Sequence, residues 1–417
     1  MLLTSFATLV VAAATTAAPI QATPFQAAYS PPQPQPHSNC TPAACVALWG
    51  PLGCPDLYSI PADLQRPAML NATPPAAGKR VRAVAPGFEH TRAYHPLYLP
   101  RGWKKPTTRV ERWTGEGGTA RTAARAGAEA AGLGAAAMHA PSTERADPDR
   151  ARAAGGAPAE QQQQLYPIIV EYMGNGPWSD APFPDRSTGR PEDSNLGWGM
   201  GAGETFIWIS MPFLSSDLGN DTEISTFWWG CPSSNAAHDC GASYDERPTL
   251  RYLHAALQQA FTVYGGDPDR VVLTGWSRGA IATFALGLHD DATSRLFTAF
   301  VPYSHLDGDC GWVDDGNATA LHERWARLDG RPTLYLGECG VASDGGPAYL
   351  ERIGVNGTKA VSRMEFMTTG FANHNDAWVL RNSTARAYLR GWLQRWVVGG
   401  GGGGGGGGEG GRVEAAY

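Results

Sequence analysis

The sequence predicts an α/β fold, a mostly parallel sheet with helices on both faces, and three observations predict it. Between residues 79 and 397, compact apolar runs with β-branched residues alternate with stretches whose apolar residues recur at helical spacing, the pattern of repeated βα units. The pentapeptide Gly275-Trp276-Ser277-Arg278-Gly279 falls between one such run and the helical stretch after it. His374 follows the last strand-like run and precedes the final helical one. A chain of 417 residues is long enough to bury a sizeable core as one large domain with appendages.

The elements follow in chain order. Residues 1–22, "MLLTSFATLVVAAATTAAPIQA", form an apolar, small-residue stretch that reads as a signal peptide. Residues 23–78 are a Pro-rich, Cys-containing lead-in, expected to be extended rather than part of the core. Within the domain, residues 104–164 hold few large apolar side chains. Such a segment cannot offset its chain entropy by burial, so a disordered insertion is expected. "LYPIIVEYMG" (165–174) and "ETFIWISMPFL" (204–214) read as strands. Leu250, Leu253, Leu257, Phe261 and Tyr264 make a helical stripe that stops at Gly265-Gly266, as a glycine cap would. "DRVVLTG" (269–275) is a buried strand, and Ile281, Phe284, Ala285 and Leu288 are the apolar face of the next helix. Further strands are expected at 297–303, 332–337 and 362–370, and a final helix carries Tyr388, Leu389, Trp392, Leu393 and Trp396. Residues 398–417 include ten consecutive glycines and read as a disordered tail.

Composition narrows the function classes. Thirty-three Lys and Arg against 39 Asp and Glu give a formal net charge of −6, with no basic stripe for nucleic acid. No run after the first 22 residues is long enough to cross a bilayer, so no membrane association is expected once the signal is cleaved. Six Asn-x-Ser/Thr sequons begin at Asn39, Asn71, Asn220, Asn317, Asn356 and Asn382, which suits a secreted glycoprotein. The seven cysteines fit an oxidising compartment. Cys231 with Cys240, and Cys310 with Cys339, are the expected pairs, leaving one thiol over among Cys40, Cys45 and Cys54. No His/Cys cluster has zinc spacing, "DGDCGWVDDGN" breaks calcium-loop spacing, and the Gly399 run lacks the strand, helix and lysine of a phosphate loop; neither metal nor cofactor is expected.

A chain with 52 glycines can produce Gly-x-Ser-x-Gly by accident, so position has to decide. Here the motif follows a buried strand and opens an amphipathic helix, where a sharp turn exposes the serine hydroxyl and the flanking glycines let strand and helix approach. On these residues the chain resembles the α/β-hydrolase family. "TRAYHPLYLPRGW" (91–103) followed by "YPIIVEYMGNG" is similar to the opening of secreted esterases related to polyhydroxyalkanoate depolymerases and feruloyl esterases. Many of those carry His-Gly after this strand, whereas this chain has Tyr172-Met173-Gly174-Asn175-Gly176. The resemblance implies an α/β-hydrolase fold and a serine nucleophile, Ser277. It also implies an oxyanion site built from N–H groups at Asn175, Gly176 and Arg278.

A serine hydroxyl needs a base, and in this family the order along the chain is serine, acid, histidine. His374 lies 97 residues after Ser277, directly after the last expected strand. His305, after an earlier strand, is its rival, while His254 and His289 read as structural residues on helices. Three carboxylates compete for the acid. Glu338, directly after the strand "PTLYLG" where this family supplies its acid, is the expected one; Asp307, which ends the preceding strand, is the alternative, and Asp344 lies further out in the Glu338 loop. Trp178, Trp198, Trp208, Trp228 and Trp229 are candidates to line an acyl or sugar subsite or to pack the core. The expected function is a secreted serine hydrolase acting on an ester substrate, polymeric or glycan-linked included. A non-catalytic binding module and a peptidase or acyltransferase on the same machinery stand as alternatives.

Overall fold

A computed structural model describes residues 54–106, 164–176, 188–214, 223–226, 245–306, 317–339 and 346–399. The expected signal peptide, most of the lead-in and of the 104–164 segment, and the glycine run from 400 on lie outside the described residues. So do Cys40, Cys45, Cys231, Cys240, Cys310, Asp307, Asp344, Trp178, Trp228 and Trp229.

Eight strands form the main sheet: β1 (Arg80–Ala83), β2 (His95–Tyr98), β3 (Tyr166–Tyr172), β4 (Ile207–Met211), β7 (Gly266–Trp276), β8 (Ala299–Tyr303), β9 (Thr333–Gly337) and β10 (Met364–Thr368). Two short strands, β5 (Phe213–Leu214) and β6 (Ile224–Ser225), pair separately. The order across the main sheet is β1-β2-β4-β3-β7-β8-β9-β10. β2 runs antiparallel to both its neighbours, and every pair from β4 to β10 is parallel. With the serine turn after β7 at its centre, this is the α/β-hydrolase fold.

β3 shows why the sheet is covered on both faces. All seven of its residues are buried, and successive side chains point to opposite sides of a strand. Ile168, Val170 and Tyr172 join one apolar cluster, with Leu253, Leu257 and Phe261 of α2 (Arg247–Val263) and Ile281 and Phe284 of α3 (Arg278–Ala285). Ile169 and Met173 join the other, with Trp198 of α1 (Leu196–Gly201) and Leu389 and Trp392 of α7 (Thr384–Leu393). Three further helices, α4 (Asp291–Ser294), α5 (Ala318–Ala326) and α6 (Pro347–Arg352), connect the later strands. The helix expected from Leu250 ends at Tyr264, and Gly265 follows at φ +71°, the left-handed conformation that glycine adopts without a Cβ penalty.

Three expectations are corrected. Cys339 is bonded to Cys54, with Cα atoms 6.0 Å apart, and so is not the partner of Cys310. The two cysteines meet because residues 55–60 run past the loops that follow β9 and β10, where Ala372 N–H donates to Pro55 O. The described part of the lead-in is accordingly not a detached segment: Leu57 is fully buried in the second apolar cluster. His289 lies in the turn after α3 rather than on a helix, held between Glu246 Oε1 (3.0 Å) and Asp290 Oδ2 (2.9 Å). The register sets the stage for the site. Tyr172 of β3 is opposite Gly275 of β7, and Trp276 is opposite Tyr303 of β8. Gly337 of β9 is likewise opposite Thr368 of β10, so the loops after these strands all leave the sheet at one edge, where sites of open α/β sheets lie.

Candidate active site

Ser277 is the residue at the turn between β7 and α3, with φ +56° and ψ −122°. A non-glycine residue rarely adopts such a φ, and it persists where the surroundings enforce it. Both flanking glycines are required by contact: a Cβ on Gly275 would lie 2.1 Å from Gly279 O, and one on Gly279 would lie 2.0 Å from Tyr172 O. The strand, the helix and β3 therefore meet backbone to backbone. Ser277 N–H donates to Tyr303 O at 3.1 Å, which fixes the turn to β8.

The serine is linked to two of the residues named from sequence. His374 Nε2 is 3.0 Å from Ser277 Oγ, and His374 Nδ1 is 2.7 Å from Glu338 Oε1. Glu338 and Ser277 are buried, at 3% and 7% exposure, while His374 keeps one side open. Of the competing carboxylates, Glu338 is the one the described structure brings to the imidazole. The loop holding His374 is braced from below by Tyr303, whose hydroxyl lies 3.2 Å from Asn373 O and 3.3 Å from Asn375 O. Two further bonds tie the acid and base loops together, Cys339 N–H to Phe371 O (2.8 Å) and Thr369 N–H to Gly337 O (2.7 Å).

His305 stands beside this chain of groups but outside it. Its ring centre is 5.5 Å from that of His374, edge to face, and its Nδ1 is 2.6 Å from Ser304 Oγ. Burial, with His374 and Arg278 nearby, holds its pKa well below the ordinary imidazole range, so it is neutral at physiological pH. His254 contacts Thr293 Oγ1 from α2, away from the serine.

On the oxyanion side, one expectation fails. Gly176 N–H donates to Thr226 O at 3.0 Å, so Gly176 serves the turn and is not an anion donor. A Cβ at that position would sit 2.1 Å from Thr188 C, which is why glycine occupies it. The loop residue lying against the serine is Gly174: a Cβ there would be 2.7 Å from the Trp276 ring and 3.0 Å from Ser277 Cβ. Asn175 beside it is buried. Arg278 opens α3, a position whose N–H is not used by the helix's own ladder. Its guanidinium is desolvated, which lowers its pKa to about 9 and leaves it charged at neutral pH.

Sequence reasoning missed two buried carboxylates behind the site. Glu171 of β3 accepts Leu196 N–H (3.0 Å), Gly197 N–H (2.8 Å) and Trp208 Nε1–H (2.8 Å). Asp376 accepts Asn195 N–H and Nδ2–H at 2.9 and 2.8 Å. Together they fasten the start of α1 to β3 and to the His374 loop. Trp198 and Trp208 pack in this region as buried core residues, not as loop aromatics. The signal that could have found Glu171 is a lone acid inside the apolar run "YPIIVEYMG". Among the described residues no group of three or more His, Cys, Asp or Glu could hold a metal ion.

No family model and no curated protein sequence matches this chain. Solved structures do resemble it, at low similarity, and they are esterases and peptidases. Esterase Est22 has 13% identity and a TM-score of 0.31, over 58% of this chain and 75% of that one. A fungal esterase from Rhizomucor miehei has 13% identity and a TM-score of 0.33, over 57% and 75%. The AtxE2 isopeptidase has 13% identity and a TM-score of 0.37; the match covers 77% of this chain but spans only 40% of the isopeptidase.

Proposed function

We propose that this chain is a secreted serine hydrolase that cleaves carboxylic esters through an acyl-enzyme on Ser277. The observation carrying the reading is the continuous contact Ser277 Oγ–His374 Nε2–His374 Nδ1–Glu338 Oε1, at 3.0 and 2.7 Å, built on a turn strained at φ +56°. His374 Nε2 takes the serine proton as Oγ attacks the ester carbonyl, and Glu338 holds the imidazole through Nδ1–H and stabilises the imidazolium. The oxyanion is met by the N–H of Arg278 and by the backbone around Gly174 and Asn175, at a helix start where negative charge is favoured. His374 then protonates the departing alcohol. A water, deprotonated by the same Nε2, attacks the acyl carbon and releases the acid.

The substrate class is proposed from the resemblance of residues 91–103 and 166–176 to the polyhydroxyalkanoate depolymerase and feruloyl esterase branch: an ester, polymeric or glycan-linked included. Secretion is proposed from residues 1–22, from the Cys54–Cys339 disulfide and from the sequons. The asparagines of the four described sequons, Asn71, Asn317, Asn356 and Asn382, are exposed. Asn317 caps α5 through Oδ1, not through the nitrogen that a glycan would take.

The test is a fluorophosphonate probe on the full-length protein, with Ser277→Ala alongside, followed by short-chain, feruloyl, polyester and peptide substrates. Labelling of Ser277, loss of turnover in a folded Ser277→Ala variant, and preference for esters are expected. An unlabelled, folded wild-type protein would leave a binding module as the better reading, and a preference for peptides would move the assignment to peptidases.

A further inference from the structure

We propose that residues 54–64 form a clasp that positions the acid–base pair of this site, with the Cys54–Cys339 disulfide as its covalent end. The proposal rests on the hydrolase reading for its catalytic consequences. Cys339 is the residue after Glu338, so the disulfide anchors the acid's own backbone. From there the segment crosses to the histidine loop. Pro55 O accepts Ala372 N–H at 3.3 Å, Asn373 Oδ1 accepts Leu57 N–H at 2.7 Å, and Asn375 Nδ2 donates to Tyr58 Oη at 3.2 Å. Those contacts fall on both immediate neighbours of His374, while none of them uses the His374 or Glu338 side chain.

The far end of the clasp is held independently. Leu57 is fully buried in the second apolar cluster. Arg381 Nε donates to Leu57 O and Ile60 O at 3.0 and 3.1 Å, and Asp63 and Leu64 N–H both donate to Leu380 O at 3.1 Å. Asp63 pairs with Arg386 through both oxygens, at 2.7 and 2.5 Å, a fork geometry that fixes direction as well as distance. The segment thus ties the loop after β9 to the loop after β10 from outside the sheet. The 2.7 Å bond between Glu338 and His374 depends on the relative placement of those two loops. Misplacing a catalytic group by about 1 Å costs on the order of 10²-fold in rate, so a device that sets this placement acts on kcat.

The test compares the full-length wild type with Cys54→Ser/Cys339→Ser, a double variant that removes both partners of the bridge together, and with Tyr58→Phe and Asp63→Asn. Ester turnover, the fluorophosphonate labelling rate and the imidazole Nδ1–H resonance in nitrogen-edited NMR are read on protein shown to be folded by circular dichroism. The double variant is expected to lose roughly 10-fold or more in kcat and in labelling rate, with KM within about 2-fold, and to shift or lose the downfield Nδ1–H signal of His374. Tyr58→Phe should lose a few-fold in kcat. Asp63→Asn, which loosens only the far end of the clasp at its fork with Arg386, should lower the melting temperature and reduce kcat less than Tyr58→Phe does. A folded double variant with wild-type kcat, labelling rate and Nδ1–H resonance would overturn the clasp and leave the disulfide a stabiliser only. If the double variant does not fold, wild-type kcat and an unmoved resonance in Tyr58→Phe would overturn it equally. Wild-type protein that is never labelled refutes the hydrolase reading instead, and the NMR comparison still decides whether the clasp sets the Glu338–His374 bond.

Discussion

Replacing Glu171 by glutamine should change how stability depends on pH, and the structure gives the sign and the size. Glu171 is fully buried, and burial, with the Asp376 carboxylate nearby, pushes its pKa from 4.5 up to about 8 despite three N–H donors. A carboxyl whose folded pKa lies above its unfolded value binds its proton more tightly when folded. Its contribution is therefore complete below pH 4.5 and is lost as the pH rises towards 8. At ~1.4 kcal/mol per pH unit, the interval from 4.5 to about 8 corresponds to on the order of 5 kcal/mol between pH 4.5 and 9. Glutamine does not titrate. Its carbonyl can still accept from Gly197 and Trp208, but its amide meets Leu196 N–H donor to donor, which costs about 1–3 kcal/mol at any pH. Urea unfolding followed by tryptophan fluorescence from pH 5 to 9 measures both proteins, and their difference cancels the histidines they share. Wild type should be the more stable at pH 5, lose that lead of about 1–3 kcal/mol by about pH 7, and be the less stable of the two at pH 9. A difference that stays flat, or that moves in favour of wild type as pH rises, would refute the reasoning and show that the three N–H groups hold the carboxylate ionised.

Three other outcomes are expected. Gly279→Ala places a Cβ 2.0 Å from Tyr172 O, a backbone clash that no rotamer relieves; thermal denaturation should show a loss of about 1–3 kcal/mol, and ester hydrolysis should fall at least ~10-fold as the turn shifts. Tyr303→Phe removes the hydroxyl beneath Asn373 O and Asn375 O, so kcat should fall several-fold with KM nearly unchanged, measured by steady-state kinetics. Glu338→Gln should lower kcat by roughly 10³–10⁴-fold, whereas Asp307→Asn should stay within a few-fold of wild type; the reverse ranking would move the acid to Asp307.

Much of the sheet was legible because its central strands are short apolar runs bounded by turn residues, and because α2 and α7 carry apolar stripes at helical spacing. β1 was not legible. Its four residues include Arg80 and Arg82, and Arg80 is buried only because its guanidinium reaches Glu192 O and lies over the Trp208 ring. Ser277 and His374 could be read from their places relative to strands, which is sequence-local information. The acid is less sharply legible: its place after β9 favours Glu338, but Asp307 also follows a strand, and the choice depends on which loop reaches His374 Nδ1. Gly176 was misread for a related reason: its N–H partner, Thr226, is 50 residues away in sequence. Cys54 and Cys339 are separated by 285 residues, so local spacing favoured nearer cysteines.

What the sequence leaves undetermined is also what the site depends on most. Ser277 is placed by β7 and α3, but Glu338 and His374 sit on loops after two outer strands, and loops are the mobile parts of a fold. A relay across three such positions requires the loops to be fixed to one another, and several independent ties do this. Tyr303 connects the serine turn to the histidine loop, through its carbonyl to Ser277 N–H and through its hydroxyl to Asn373 and Asn375. Asp376, two residues past His374, fastens the same loop to the start of α1, and Glu171 fastens that start to β3. Since β3 also delivers Gly174 to the serine, the side proposed to hold the oxyanion and the histidine side are braced through one short helix. Loosening α1 should therefore disturb both sides together, whereas opening the 54–64 segment should disturb only the acid–base side. The two supports are separable by kinetics, because only the first should weaken binding of a tetrahedral oxyanion mimic in proportion to the loss of kcat.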